Sequence, residues 1–201
     1  MAEKAVYDKI ARIISTIFVP PSSMLFIFFY FAFAFESSAE KKIAVVAAVI
    51  LFGFILPVIM FVYFRKRGQI ADIDASLKEE RTVPFLIAVF FYLCGLIFLI
   101  LAGINFITLS CWFCYISNTL IIILINKNWK ISAHALGVSG PLGAITYALG
   151  PQGLLFVVLL LIVGWSRLHL KVHTIAQIIA GGITGFVLTY FQMLLLNHLF
   201  I

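Results

Sequence analysis

The sequence predicts an all-α protein, a polytopic transmembrane helical bundle of six to seven spans, organised as one membrane-embedded domain over residues 1–201. Three observations predict it. The chain is 64% hydrophobic and only 11% charged, whereas soluble domains are roughly 45–50% apolar and about 25% charged. Its charges cluster between long uncharged runs, as bilayer spans require. The runs have lengths that fit one or two crossings at roughly 20 residues each. No region is long and polar enough for a separate soluble domain.

Residues 13–35 form the first uncharged run. The Pro20-Pro21 pair should kink or interrupt it, because proline removes a helical hydrogen bond and clashes with the preceding turn. Ahead of the run, Lys4, Lys9 and Arg12 make the N-terminal segment amphipathic and suited to anionic lipid. A cleavable signal is not expected there. The apolar run is about twice the usual ~7–15-residue core, and Glu3 and Asp8 dilute the basic start.

Residues 43–64 form the second run. Residues 84–126 are long enough for two crossings, breaking near Gly103-Ile104-Asn105. Residues 131–166 again need two, breaking at Gly150-Pro151-Gln152-Gly153, and residues 173–199 cross once. The sum is seven spans, or six if one run is re-entrant. Gly181 and Gly185, a G-x-x-x-G pair, are read as close helix packing, with Gly137, Gly140 and Gly143 doing the same nearby. Cys111 and Cys114 have C-x-x-C spacing inside an uncharged run and read as buried small hydrophobes.

With seven crossings, every Lys and Arg except Lys41 and Lys42 falls on one side of the membrane. The formal charge of +6 is therefore read as topology-setting loop charge, and nucleic acid is not an expected partner. The positive-inside rule puts that side in the cytoplasm. The expected location is the cell (inner) membrane.

Three polar clusters sit at span ends on this side. The first runs from Asp72 to Pro84 and includes Asp74, Lys78 and Arg81. The second is Lys127-Asn128-Trp129-Lys130-Ile131-Ser132-Ala133-His134. The third is Ser166-Arg167-Leu168-His169-Leu170-Lys171-Val172-His173-Thr174-Ile175-Ala176-Gln177. Each alone fits a bland reading: a solvated loop, a hydrogen-bonded core histidine, a juxtamembrane turn with a snorkelling arginine. Together they put cations, two imidazoles and a hydroxyl on one face, and polar groups beside lipid-facing helices are costly. That is an inventory for phosphoryl transfer. Cations neutralise the phosphate, a helix start offers N–H groups to its oxygens, one imidazole attacks and the other protonates the departing oxygen. On a helix, His173 and Gln177 share a face. His169 and Lys171 read as interfacial, and no role is expected for His198.

At these residues the chain resembles the type 2 phosphatidic acid phosphatase superfamily, the membrane lipid phosphatases related to vanadium haloperoxidases. That family's last motif is Ser-Arg, five residues, His, three residues, Asp. Ser166-Arg167 and His173 match it, and Gln177 stands in place of the Asp. The small-residue run at 180–185 is the family's usual continuation. The middle motif, Pro-Ser-Gly-His, is matched by Ser132 and His134, with Ile131 and Ala133 departing from it. The first motif, a lysine, six residues, then Arg-Pro, has no clean copy. Its cations would come from Lys78 and Arg81 ahead of Pro84, or from Lys127 and Lys130, with Arg81 and Lys130 favoured. The resemblance covers about residues 70–190.

The resemblance implies that His173 is the nucleophile and forms a phosphohistidine, that Gln177 orients it, and that His134 is the general acid. Arg167 would clamp the phosphate, with Ser132 and the start of its helix binding the oxygens. No cofactor or metal is implied. The implied substrate is a lipid phosphomonoester or diphosphate: phosphatidate, phosphatidylglycerol phosphate or a polyprenyl diphosphate. The partners are that lipid and the membrane, with a homodimer left open.

Three rival readings stand beside this one. Gln177 and Ala133 fit a catalytically decayed lipid-binding or scrambling protein on the same scaffold. Asp72, Asp74, Arg81 and Pro84 resemble the aspartate-rich loop of membrane prenyltransferases. Those enzymes need a second acidic loop, and no Asp or Glu follows Arg81. A channel or transporter would spread polar residues across the bilayer, whereas these crowd one end.

Overall fold

A computed structural model describes residues 2–200, and every regular element among them is helical. The N-terminal stretch is helix α1 (Ala2–Ile17), amphipathic, with Val6, Tyr7 and Ile10 exposed. It stops two residues before Pro20. Helix α2 (Pro20–Phe35) then starts with both prolines in its first turn, where their missing N–H groups have no helical partner to lose. The two helices meet at 56°, the interruption that the proline pair predicts.

Helix α3 (Ala39–Ala48) is capped by Ser38, whose hydroxyl accepts the Lys41 N–H. It runs through a π-helical stretch, Val49–Ile55, into α4 (Leu56–Lys66), giving one continuous helix of 28 residues. The wider turn absorbs Pro57, which would otherwise strike the carbonyl four residues back. Helix α5 (Thr82–Leu101) follows a 3-10 turn at Lys78–Arg81, and α6 (Phe106–Asn128) follows a break at Gly103, where φ is +64°. Buried Glu36, at the end of α2, accepts the Asn105 N–H and the Thr108 hydroxyl (2.7 Å). Its side chain thus sits at the positive start of α6.

Helix α7 (Ala133–Leu149) ends at Gly150, whose φ of +72° favours glycine. A 3-10 turn, Gly150–Phe156, folds the chain back, and α8 (Val157–His169) returns beside α7. Gly153 lies on the Thr146 backbone, so close that a Cβ would meet its N and Cα at 2.6 Å. Helix α9 (Ile175–Phe200) packs along α7 in the most extensive pairing of the fold. Gly181 rests on the Ser132 carbonyl, Gly185 on that of Leu136, and Gly143 on that of Phe186. Gly137 instead faces Pro20 of α2, and Gly140 has ordinary room. The small-residue seam of α7 and α9 is thus built from both helices.

The core gathers Met24, Phe28, Phe31, Val45, Val49, Leu99 and Trp112, with Cys111 and Cys114 buried in it as free thiols. Outside, many large apolar side chains are exposed, and Phe33, Leu101, Leu155 and Leu161 reach two-thirds exposure or more. An exterior of that kind suits lipid rather than water. By length and composition, five helices can cross a membrane, or six if the bent α1–α2 pair counts as one. The chain is a helical integral membrane protein. The expectation of seven requires Ala133–His169 to be two crossings, whereas that stretch counts as one by the same measure.

Candidate active site

The fold-back at Gly150 puts the start of α7 and the end of α8 at one end of the bundle. Hydrogen bonds then tie five segments together there. The Ser132 N–H donates to the Gln177 carbonyl at 3.1 Å, joining α7 to α9. Arg81 donates from Nε to the Ala75 carbonyl (2.7 Å) and from Nη1 to that of Ile131 (3.1 Å). Lys130 Nζ donates to the Val172 carbonyl (2.9 Å). Lys171 takes a φ of +55° in the turn that carries the chain from α8 to α9.

The loop before α5 is shaped by Asp72. Its carboxylate accepts the N–H groups of Asp74 (2.7 Å) and Ser76 (3.2 Å), a side-chain-built turn. Ala75 consequently sits in the left-handed region at φ +44°. The turn aims Asp74 inward, between two guanidiniums. Arg167 donates to its Oδ1 at 2.7 Å and Arg12 to its Oδ2 at 2.8 Å. Burial pulls the Asp74 carboxyl upward, but the hydrogen bonds and charges of Arg12 and Arg167 outweigh it and hold it below the usual carboxylate range.

Arg167 is wholly buried. Its Nη1 serves both Asp74 and the Ser15 hydroxyl, while Nε and Nη2 are buried and have no partner. Unmet donors of this kind cost about 1–3 kcal/mol each. An anion with two oxygens would satisfy both in parallel, the preferred fork of arginine.

His173, also buried, bonds through Nδ1 to Gln177 Oε1 at 3.1 Å. The same oxygen accepts the Thr174 N–H (3.1 Å), and Thr174 Oγ1 accepts the Gln177 N–H (3.3 Å). This is a reciprocal capping box at the start of α9. It also settles the imidazole tautomer. A backbone N–H needs an acceptor, so the amide oxygen lies there, and His173 must carry its proton on Nδ1. The Nε2 lone pair is left free. Burial, and then the cations Lys130, Arg81 and Arg167, push the His173 pKa down to about 3, against the opposing pull of Gln177. The ring is neutral at pH 7. Lys130 is also held below its usual value, by burial first and then by Arg81 and Arg167, with Asp72 and Asp74 opposing.

His134 is buried and lies within electrostatic range of the Arg167 and Asp74 charges. Its Nε2 lies 3.1 Å from the Ser15 carbonyl. A carbonyl can only accept, so that nitrogen carries the proton and Nδ1 is the one left for chemistry. Ser132, fully buried, caps α7 by accepting the Ala135 N–H at 3.2 Å.

The structure therefore gathers His173, Gln177, His134, Arg167, Ser132, Arg81 and Lys130. It does not bring Lys78 and Lys127 to the cluster. The Lys78 ammonium is committed to the carbonyls of Lys127 and Asn128 at the end of α6, where a cation offsets the helix dipole. The Lys127 side chain is exposed. Asp74, Ser15 and Arg12 are additions that sequence reading did not place in the site. One signal was available for Ser15, a hydroxyl on the buried side of an amphipathic helix.

Beside the cluster lies a cavity of about 390 Å³. His134, Asp74 and Arg81 line one part of it, and Phe54, Phe61, Phe85 and Tyr92 are among the apolar residues lining the rest. Comparison of the chain with protein-family models, curated proteins and solved structures returns no match.

Proposed function

We propose that the protein is a lipid phosphatase that hydrolyses a phosphomonoester or diphosphate of a membrane lipid through a phosphohistidine. The observation that carries this reading is the buried Arg167 edge, two unpartnered donors within electrostatic range of a neutral His173 whose Nε2 is bare. In the first step the Nε2 lone pair attacks phosphorus and the P–O bond to the lipid breaks. His134 Nδ1, bare at rest, relays the proton of the substrate's phosphate monoanion to the departing oxygen and keeps its Nε2 proton on the Ser15 carbonyl. In the second step water attacks phosphorus, His134 Nδ1 takes its proton, and the N–P bond breaks. Arg167, Arg81, Lys130 and the start of α7 neutralise the phosphoryl oxygens in both steps.

The cavity supports a lipid as substrate. Its volume lies in the usual range of ligand pockets, roughly 300–1,000 Å³, and its apolar lining meets the site at His134 and Arg81. A phosphatidate, phosphatidylglycerol phosphate or polyprenyl diphosphate would place its chain there and its phosphate at Arg167. We read seven crossings, with α7 and α8 crossing separately and the site facing the cytoplasm of an inner membrane.

Purified protein assayed over these lipids is expected to release phosphate with chelator present, to be inhibited by vanadate, and to lose activity in His173→Ala. Full activity in both His173→Ala and His134→Ala would refute the reading. One observation favours a second reading, a lipid-binding or scrambling protein without turnover: the neutral Gln177 leaves no carboxylate on His173. Lipid transfer between leaflets with no phosphate release would establish it. A prenyltransferase fits less well, because Asp72 is spent on its own turn and Asp74 on two arginines.

A further inference from the structure

We infer that Asp74, steadied by Arg12 of α1, is the positioning residue that sets Arg167 for an oxyanion. This rests on the reading above that Arg167 receives the phosphoryl group. A guanidinium has five N–H donors, two on Nη1, two on Nη2 and one on Nε. Asp74 Oδ1 and the Ser15 hydroxyl take both donors of Nη1. The Nε–Nη2 edge is left free and buried. That edge is the parallel fork that matches two oxygens of a phosphate. Asp74 therefore holds the back of the guanidinium rather than competing for its open side.

Asp74 is itself placed by groups that do not depend on Arg167. The Asp72 carboxylate fixes its backbone at 2.7 Å, and Arg81 Nε grips the next residue's carbonyl at 2.7 Å. Arg12 occupies its second oxygen at 2.8 Å, from a different helix. A carboxylate so anchored also compensates a wholly buried cation that otherwise has no counter-charge within ion-pairing distance. The ligand class that fits the free edge is a tetrahedral oxyanion with two adjacent oxygens.

The test uses the full chain in detergent micelles. Orthovanadate binding is measured calorimetrically, alongside kcat and KM for a short-chain phosphatidate. Asp74→Ala is expected to weaken vanadate binding by about tenfold or more and to raise KM in parallel, with kcat changed by less than about threefold. Asp74→Asn, which keeps an acceptor of the same shape without the charge, should recover part of that loss. Arg12→Ala should weaken binding by about two- to fivefold, since its side chain is 41% exposed. Vanadate affinity equal to or tighter than wild type in Asp74→Ala overturns the inference, as does a fall in kcat alone. If Asp74→Ala does not fold, wild-type affinity in Asp74→Asn overturns it instead. Weakened binding in the variants without phosphate release from any lipid sinks the phosphatase reading and leaves this inference standing. Phosphate release with affinity unchanged across the Asp74 variants does the reverse. A wild-type protein that neither binds vanadate nor releases phosphate overturns both.

Discussion

Gln177 Oε1 accepts two hydrogen bonds, one from the His173 ring N–H at 3.1 Å and one from the Thr174 backbone N–H at 3.1 Å. The amide that orients the imidazole is thus also half of the cap of α9. An aspartate there would orient and cap too, and would add a negative charge beside the ring as it becomes cationic.

Two substitutions separate those roles. Gln177→Asp should raise kcat by about tenfold, because a carboxylate stabilises the phosphorylated, positively charged imidazole. Gln177→Ala should lower kcat by about 10²-fold and cost about 1 kcal/mol of stability through the lost cap. Phosphate-release kinetics and thermal unfolding in detergent report the two effects. A Gln177→Asp protein slower than wild type would count against the proposed mechanism.

The pH response follows from the depressed basicity of His173. Its folded pKa is about 3, below its ordinary value of 6.5. The proposed nucleophile is therefore already unprotonated at pH 5, and it should contribute no loss of kcat/KM between pH 7 and 5. Stability behaves differently. Below about pH 6.5 the unfolded chain binds a proton that the folded one refuses, so the His173 contribution is present above that pH and is lost as pH falls toward 3. His173→Gln should reduce the slope of stability against pH across that window. An unchanged slope would place the ring in a wetter setting than the one described.

Arg167→Lys keeps a cation and loses the fork. The ratio kcat/KM should fall by about 10²–10³-fold, the usual cost of one preorganised oxyanion donor. Wild-type kinetics in this variant would remove Arg167 from phosphate binding.

The α7–α9 seam gives a contrast between two glycines. A Cβ at Gly181 would come within 2.5 Å of the Ser132 carbonyl, whereas at Gly140 the nearest atom would be Thr189 Oγ1 at 3.4 Å. Gly181→Ala should cost about 1–3 kcal/mol by forcing the helices apart and should lower activity, since it strains the Ser132–Gln177 tie. Gly140→Ala should change stability by about 0.5 kcal/mol or less. Equal melting temperatures for the two variants would mean that the seam yields easily.

Membrane topology is open to labelling. Single cysteines at Gln69 and Lys171, in a chain whose Cys94, Cys111 and Cys114 are replaced by alanine, should react from the cytoplasmic side. Cysteines at Ser37 and Gln152 should react from the other. Labelling of positions 152 and 171 from the same side would reduce the seven crossings.

Hydropathy located most of the helices because their burial in lipid is a property of each run alone. The Gly103-Ile104-Asn105 break and the Gly150 reversal are local backbone events, and both appear where their glycines stand. The run starting at residue 13 was less informative. Its first five residues belong to α1, which extends back through charged positions to Ala2. The histidines, Gln177 and Arg167 were readable by spacing. Asp74 was not, because its partners Arg12 and Arg167 lie 62 and 93 residues away, and nothing local marks a carboxylate as inward-facing. Lys78 looked like a site cation for the same reason, although its ammonium closes the end of α6.

Ser15 bonds His134 through its carbonyl and Arg167 through its hydroxyl, one residue serving both histidine and guanidinium just ahead of the proline bend. The amino-terminal arm is consequently built into the buried polar cluster and not an ornament on it. Should that arm slide by a single turn, His134 and Arg167 would come adrift together, and the cluster would fail in one step rather than by degrees.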